Sequence, residues 1–510
     1  MKRNNLTTAL VAAIAGVAGF ASLASAVDLN PDGLGQALIY PYYTVNKSQN
    51  TQFSVVNSSN VGKVVKVRFL EGYNSREVLD FNLYLSAHDV WTASLSVALP
   101  AGKTDDGSYG GQLITHDNSC LDGIPTGAQQ PFLSFGYDGT LASVGQPADT
   151  GPQTIDRTRE GYFEVIAMGD VIPGSALSTD ITHVQPGAGP NTEVPKDCGS
   201  APSDTPTGIV APTGGLFGGA GVINVGLGTF FAYNAEAIDG FTATQLYTPP
   251  SSLLPSLQSA NDTVATAGVA RAYVFENGGN LLTVDYPGVQ GGRDAVSAVL
   301  MADTLYNEYY IDPGFGAASD WVVTFPTKRF YVDKGIFGAY TTPPFETAFL
   351  AGKSNVTIAP IVYDREEGFV PPFTSNCPSP IGPTCLASNP TLPYEVNVIS
   401  FTPTASVKST VLGSNLHKEL KPWGVAGWAS LDLVGPNKHA LPGGISPVGN
   451  AVTLNGLPAV GFYANNVINA NAQPGLQSNY GSVFRHRASR SCANVPPTAA
   501  GGTPVVAACS

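Results

Sequence analysis

Of 510 residues only 12% are charged, about half the density of an ordinary soluble domain. The balance of 25 Lys+Arg against 38 Asp+Glu gives a net charge of −13 with no basic run, which argues against phosphate-driven binding of nucleic acid. Glycine (57) and proline (40) imply many turns and little long helix, while a 43% apolar fraction excludes wholesale disorder.

In chain order, Lys2 and Arg3 precede an apolar stretch from Leu6 to Leu23, and Ala24-Ser25-Ala26 supplies the small-x-small pattern of a cleavage site. Residues 1–26 are therefore expected to be a signal peptide cut after Ala26, which places the mature protein outside the cell or on its surface. No later window is apolar enough for a transmembrane helix. Asp28, Asn30 and Asp32 lie in D-x-N-x-D-G, the first half of a calcium loop, although Pro31 interrupts it and Ile39 stands where the bidentate glutamate belongs. A plain Asx/Gly turn is the reading favoured for this segment, with calcium, the one cofactor the sequence suggests, as the alternative.

Residues 27–100 alternate with period two. Val65, Val67 and Phe69 interleave with Lys66 and Arg68, and Leu79, Phe81, Leu83 and Leu85 with Asp80, Asn82 and Tyr84. Half-buried antiparallel strands are expected, and their spacing predicts an immunoglobulin-like β-sandwich. Residues 101–215 read as a loop-rich insertion with one strand from Gly161 to Met168. Residues 216–335 begin with a hairpin around Gly226-Leu227-Gly228 and contain one helix, expected from Asp294 to Tyr309 on the three-and-four spacing of Ala295, Ala298, Val299, Ala302, Leu305, Tyr306 and Tyr309. A strand with a break at Pro326 follows. Residues 336–510 form a C-terminal β-rich segment, so the fold class is mainly β with long loop insertions and one or two helices.

The six cysteines, Cys120, Cys198, Cys377, Cys385, Cys492 and Cys509, all follow the signal segment and read as disulfides in an oxidising compartment. Sequential pairing, Cys120 with Cys198, Cys377 with Cys385 and Cys492 with Cys509, is the least entangled of 15 possibilities. Two tyrosine clusters, Tyr40, Tyr42 and Tyr43, and Tyr306, Tyr309 and Tyr310, are candidate ligand contacts because sugar faces stack on exposed rings. Catalytic spacing is not found: G-x-S-x-G, G-x-G-x-x-G, the P-loop and H-x-x-x-H are all missing from the sequence.

The segments DLNPDGLGQALIYPYYTVN, KVRFLEGYNSREVLDFNLYLSAHDVWTASL, GTFFAYNAEAIDGF, SDWVVTFPTKRFYV and SNYGSVFRHRASR resemble those of large secreted surface proteins of proteobacteria. The resemblance implies export and a shared architecture and brings no active site with it. The function expected is a structural cell-surface protein, an S-layer or extracellular-matrix subunit packing beside copies of itself or other envelope components, with calcium as a bridging ion. An adhesin or carbohydrate-binding surface protein is the first alternative, and an exported polysaccharide hydrolase the second.

Overall fold

The computed structural model describes residues 26–125, 129–184, 193–262, 268–277, 279–338, 342–370, 389–402, 406–422, 424–495 and 507–508. The fold is mainly β, with 46% of residues in strands and 11% in helices. Its centre is a fourteen-stranded sheet in which Glu77–Leu85, Lys63–Glu71, Glu160–Val171, Ala37–Thr44, Glu236–Asp239, Val27–Leu29 and Val269–Phe275 lie side by side in that order. A seven-stranded sheet, containing Thr229–Asn234, Gly219–Asn224, Asn50–Asn57, Val90–Val97 and Gly111–Ile114, packs on it. Phe53 from the smaller sheet meets Phe69 and Phe163 of the larger, with ring centroids 5.8 and 4.7 Å away, so alternating inward residues build the core between two layers.

Two five-stranded sheets and three two-stranded ones complete the β structure of the described residues. One five-stranded sheet contains Ala317–Thr324, Val396–Phe401, Val460–Gln473 and Leu476–Arg485; the other contains Ala359–Asp364, Ala426–Asp432, Thr304–Tyr310 and Arg487–Ser489. Tyr309 of the second stacks on Phe401 of the first at 5.1 Å. The two pairs of sheets share one hydrophobic cluster. Cross-links such as Tyr162 Oη donating to Pro326 O and Thr324 Oγ1 donating to Pro41 O fasten residues far apart in the chain. The expected segment boundaries at 100 and 215 are therefore not sheet boundaries, because strands from 27–100 pair directly with Glu160–Val171, Gly219–Asn224 and Glu236–Asp239.

Two local expectations change. The helix runs from Gly291 to Leu300, and Thr304–Tyr310 is a strand between Ala426–Asp432 and Arg487–Ser489. Residues 304–310 (TLYNEYY) are rich in β-formers, and Leu305, Asn307 and Tyr309 point inward with period two. Leu305 and Tyr309 fit both periods, and pairing on both edges decides for strand. Gly292 allows the helix start to touch the Gln258 carbonyl, where a β-carbon would collide.

The second change concerns Lys63–Glu71, which is buried on both faces, as is Glu160–Val171. Lys66 and Arg68 do not reach solvent; they pair with Asp80 at 3.0 Å and Glu77 at 2.7 Å. A sheet interior covered on both sides tolerates these cations only because each has a carboxylate within reach.

Candidate functional site

The solvent face of the Thr304–Tyr310 sheet carries the clearest candidate contact surface. Alternation turns Tyr306, Glu308 and Tyr310 outward on one strand, Trp428 and Ser430 on the next and Ile361 and Tyr363 on a third. Register places Phe369, Tyr363, Trp428 and Glu308 in one row across four strands. Tyr363 stacks on Trp428 at 4.2 Å with an 11° interplanar angle, Phe369 follows at 5.7 Å from Tyr363, and Tyr306 stands 6.5 Å from Trp428. Phe369 is 50% and Trp428 42% exposed. The exposed pair Glu308 and Arg487 flanks the row at 3.4 Å.

Beside this row stands one of the tyrosines singled out from the sequence, Tyr306, while Tyr310 projects from the same face beside Phe315. Tyr309 is turned into the core, and Tyr40, Tyr42 and Tyr43 are fully buried. The first cluster is therefore packing, not a ligand platform. Tyr40 Oη donates to Ser54 O at 2.6 Å, Tyr42 Oη to Glu160 Oε2 at 3.1 Å and Tyr43 Oη to Thr158 O at 3.2 Å, which satisfies each hydroxyl inside. Burial pushes the Tyr42 and Tyr43 hydroxyls well above the usual tyrosine range. Sequence reasoning missed Tyr363, Phe369 and Trp428; the outward phase of their strands was the available signal.

The residues of the expected calcium loop, Asp28, Asn30 and Asp32, take part in local backbone structure. Asp28 lies in Val27–Leu29 directly opposite Asp239, and Asn30 Oδ1 accepts from the Asp32 backbone N–H at 2.9 Å in an Asx turn. Among the described residues no group of three or more His, Cys, Asp or Glu is placed to hold a metal ion.

Desolvation, then the charge of Asp239, pushes the Asp28 carboxyl up to about 6. A carboxyl raised above its unfolded value, about 3.9, favours the protonated native state, so stability falls as pH climbs from about 4 to about 6. Asp28→Asn is accordingly expected to melt higher than the parent at pH 7 and equally at pH 4, as thermal scans at the two pH values would show. Equal melting at both would remove the Asp28–Asp239 repulsion from consideration.

The other charge-bearing region is interior. A cavity of about 350 Å³ is lined by Arg68, Ser75, Arg76, Ser256, Arg329 and Asp333 among others. Its cations are largely committed: Arg76 grips Asp333 through Nε and Nη2 at 2.6 and 3.1 Å, and Arg68 holds Glu77. Nearby, burial pushes Glu395 up to about 8, against the opposing pull of Lys328, and lowers Lys328 to about 8. Lys328 Nζ donates to the Ser354 and Tyr394 carbonyls at 2.7 and 2.9 Å, which fixes it as a cross-brace between loops.

Cys120 and Cys198 form the expected disulfide. Cys492 is disulfide-bonded as well, and Cys377, Cys385 and Cys509 lie outside the described residues. No helix of the described residues is long and apolar enough to cross a membrane. Compared with known protein families, curated proteins and solved structures, the chain matches none.

Proposed function

We propose that this protein is an exported structural component of the cell surface, an S-layer or extracellular-matrix subunit that packs side by side with copies of itself. The observation that carries this reading is the row Phe369–Tyr363–Trp428 beside Tyr306, exposed among the described residues, because contiguous exposed aromatic surface marks a contact site. The signal-like residues 1–26, the low charge density and the disulfide at Cys120 and Cys198 support it, as does the resemblance to secreted surface proteins. Acidic neighbours repel one another, and divalent ions between carboxylates would reduce that repulsion.

Analytical ultracentrifugation and electron microscopy of the purified mature protein test the proposal. Concentration-dependent assemblies are expected, strengthened by calcium and weakened by chelation. The double variant Trp428→Asp with Phe369→Asp is expected to sediment as a folded monomer with a small loss of stability. A parent protein that stays monomeric with and without millimolar calcium would defeat the reading.

A further inference from the structure

The seven-stranded sheet has a solvent face that the aromatic row does not touch. A shallow groove of about 540 Å³ crosses it. Strand register builds this groove from two parallel rows. One runs Ile114, Ser94, Gln52, Gly221 and Ala232; the other runs Thr92, Ser54, Gly219 and Asn234. The side chains of Gln52, Ser54, Thr92, Ser94 and Asn234 make no hydrogen bond to other described residues, so their donors and acceptors are available.

Three features narrow the ligand. The lining includes no Asp, Glu, Lys or Arg, and apart from the imidazole of His116 it presents only neutral side chains, so no fixed charge there selects a charged partner. Glycine at 219 and 221 and alanine at 232 lower the floor between the polar side chains. Phe230, 51% exposed, leans from the edge strand across Gly221, where a β-carbon would strike its ring. A ring held against backbone with half its surface in water is a stacking platform, and hydroxyl and amide groups repeating at about 4.8 Å from strand to strand suit a chain of hydroxylated rings.

We propose that this groove binds a neutral polysaccharide, with Phe230 stacking on a pyranose face and Gln52, Ser54, Thr92, Ser94 and Asn234 hydrogen-bonding to its hydroxyls. The inference rests on the surface-protein reading and deepens it, because such a site would hold the protein non-covalently to envelope or matrix glycan. It leaves the aromatic row free for contacts between copies.

The test is affinity electrophoresis of the purified mature protein in gels containing neutral polysaccharides (dextran, amylose, galactomannan, xylan) or acidic ones (alginate, hyaluronan), followed by calorimetry on any that retard it. Retardation by at least one neutral polymer and by neither acidic one is expected. Phe230→Ala should weaken binding about tenfold, and Gln52→Ala with Ser94→Ala by a similar factor, with melting temperatures unchanged because these side chains are exposed or partly exposed. No retardation by any neutral polymer, or binding that Phe230→Ala leaves intact, overturns the proposal. The parent protein separates the two readings: glycan binding without assembly sinks only the lattice, and assembly without glycan binding sinks only the groove, while the monomeric Trp428→Asp, Phe369→Asp variant is expected to keep its glycan affinity.

Discussion

Arg157→Ala is expected to lower the free energy of unfolding by about 3–5 kcal/mol, because it removes the cation shared by two buried carboxylates. Arg157 Nε and Nη2 donate to Glu71 at 2.7 and 2.8 Å, and Nη1 and Nη2 donate to Asp149 at 2.8 and 2.6 Å. The guanidinium lies 4.3 Å from the Tyr137 ring centroid and 5.2 Å from that of Tyr73. Without it, Glu71 keeps the backbone N–H groups of Tyr73, Asn74 and Arg76, but its negative charge stays in the interior with no cation of comparable geometry. Arg157→Lys restores one charge but not the double fork and should recover part of the loss.

The same pair predicts a pH signature. Burial alone would raise the Asp149 carboxyl, yet the Arg157 hydrogen bonds and charge outweigh it and hold the group below its ordinary value. A depressed carboxyl contributes stability that is present above its unfolded pKa, about 3.9, and lost as pH falls through the lower folded value. The gap between parent and Arg157→Ala should therefore be widest near neutrality and shrink below about pH 4. Urea unfolding followed by tryptophan fluorescence reads both effects. A cost under about 1 kcal/mol at pH 7 would show that the network is solvated and not the buried cluster described.

Period-two alternation made the strands readable because it is local: Phe81, Leu83, Trp91 and Leu95 each face the core as their spacing demands. The Gly226-Leu227-Gly228 hairpin was equally readable, since its turn chemistry sits in consecutive residues. What alternation cannot say is whether the polar face meets water. Lys66, Arg68, Glu160 and Glu164 look like solvated positions and are buried, because their partners arrive from elsewhere; Arg76 is held by Asp333, 257 positions away. Tyr306 and Tyr309 carried the same signal in a cluster of three, and only sheet pairing turned one outward and the other in. The neutral groove escaped for a related reason: serine, threonine and glutamine on separate strands become a site only once register aligns them.

Breaking the Cys120–Cys198 bridge is expected to cost about 4.5 kcal/mol, the chain-entropy value for closing a loop of 78 residues. Cys120 starts an edge strand paired with Glu77–Leu85, and Cys198 lies just before the helix Ala201–Gly208. Both contact a satellite cluster that includes Met168, Leu177, Ile181 and Ile209, apart from the main core. If the bridge served only that satellite, reduction would loosen it locally and speed tryptic cleavage at the surface residue Lys196 while the global transition stayed in place. The enclosed loop, however, also contains Glu160–Val171, a strand at the heart of the large sheet, together with Arg157 and Asp149. Restraining it in the unfolded chain therefore restrains residues that the main core needs. The expected result is a fall in the global urea midpoint, alike for Cys120→Ala with Cys198→Ala and for the reduced parent. Faster cleavage at Lys196 with an unmoved midpoint would mean that the bridge secures a flap and that the core folds without it.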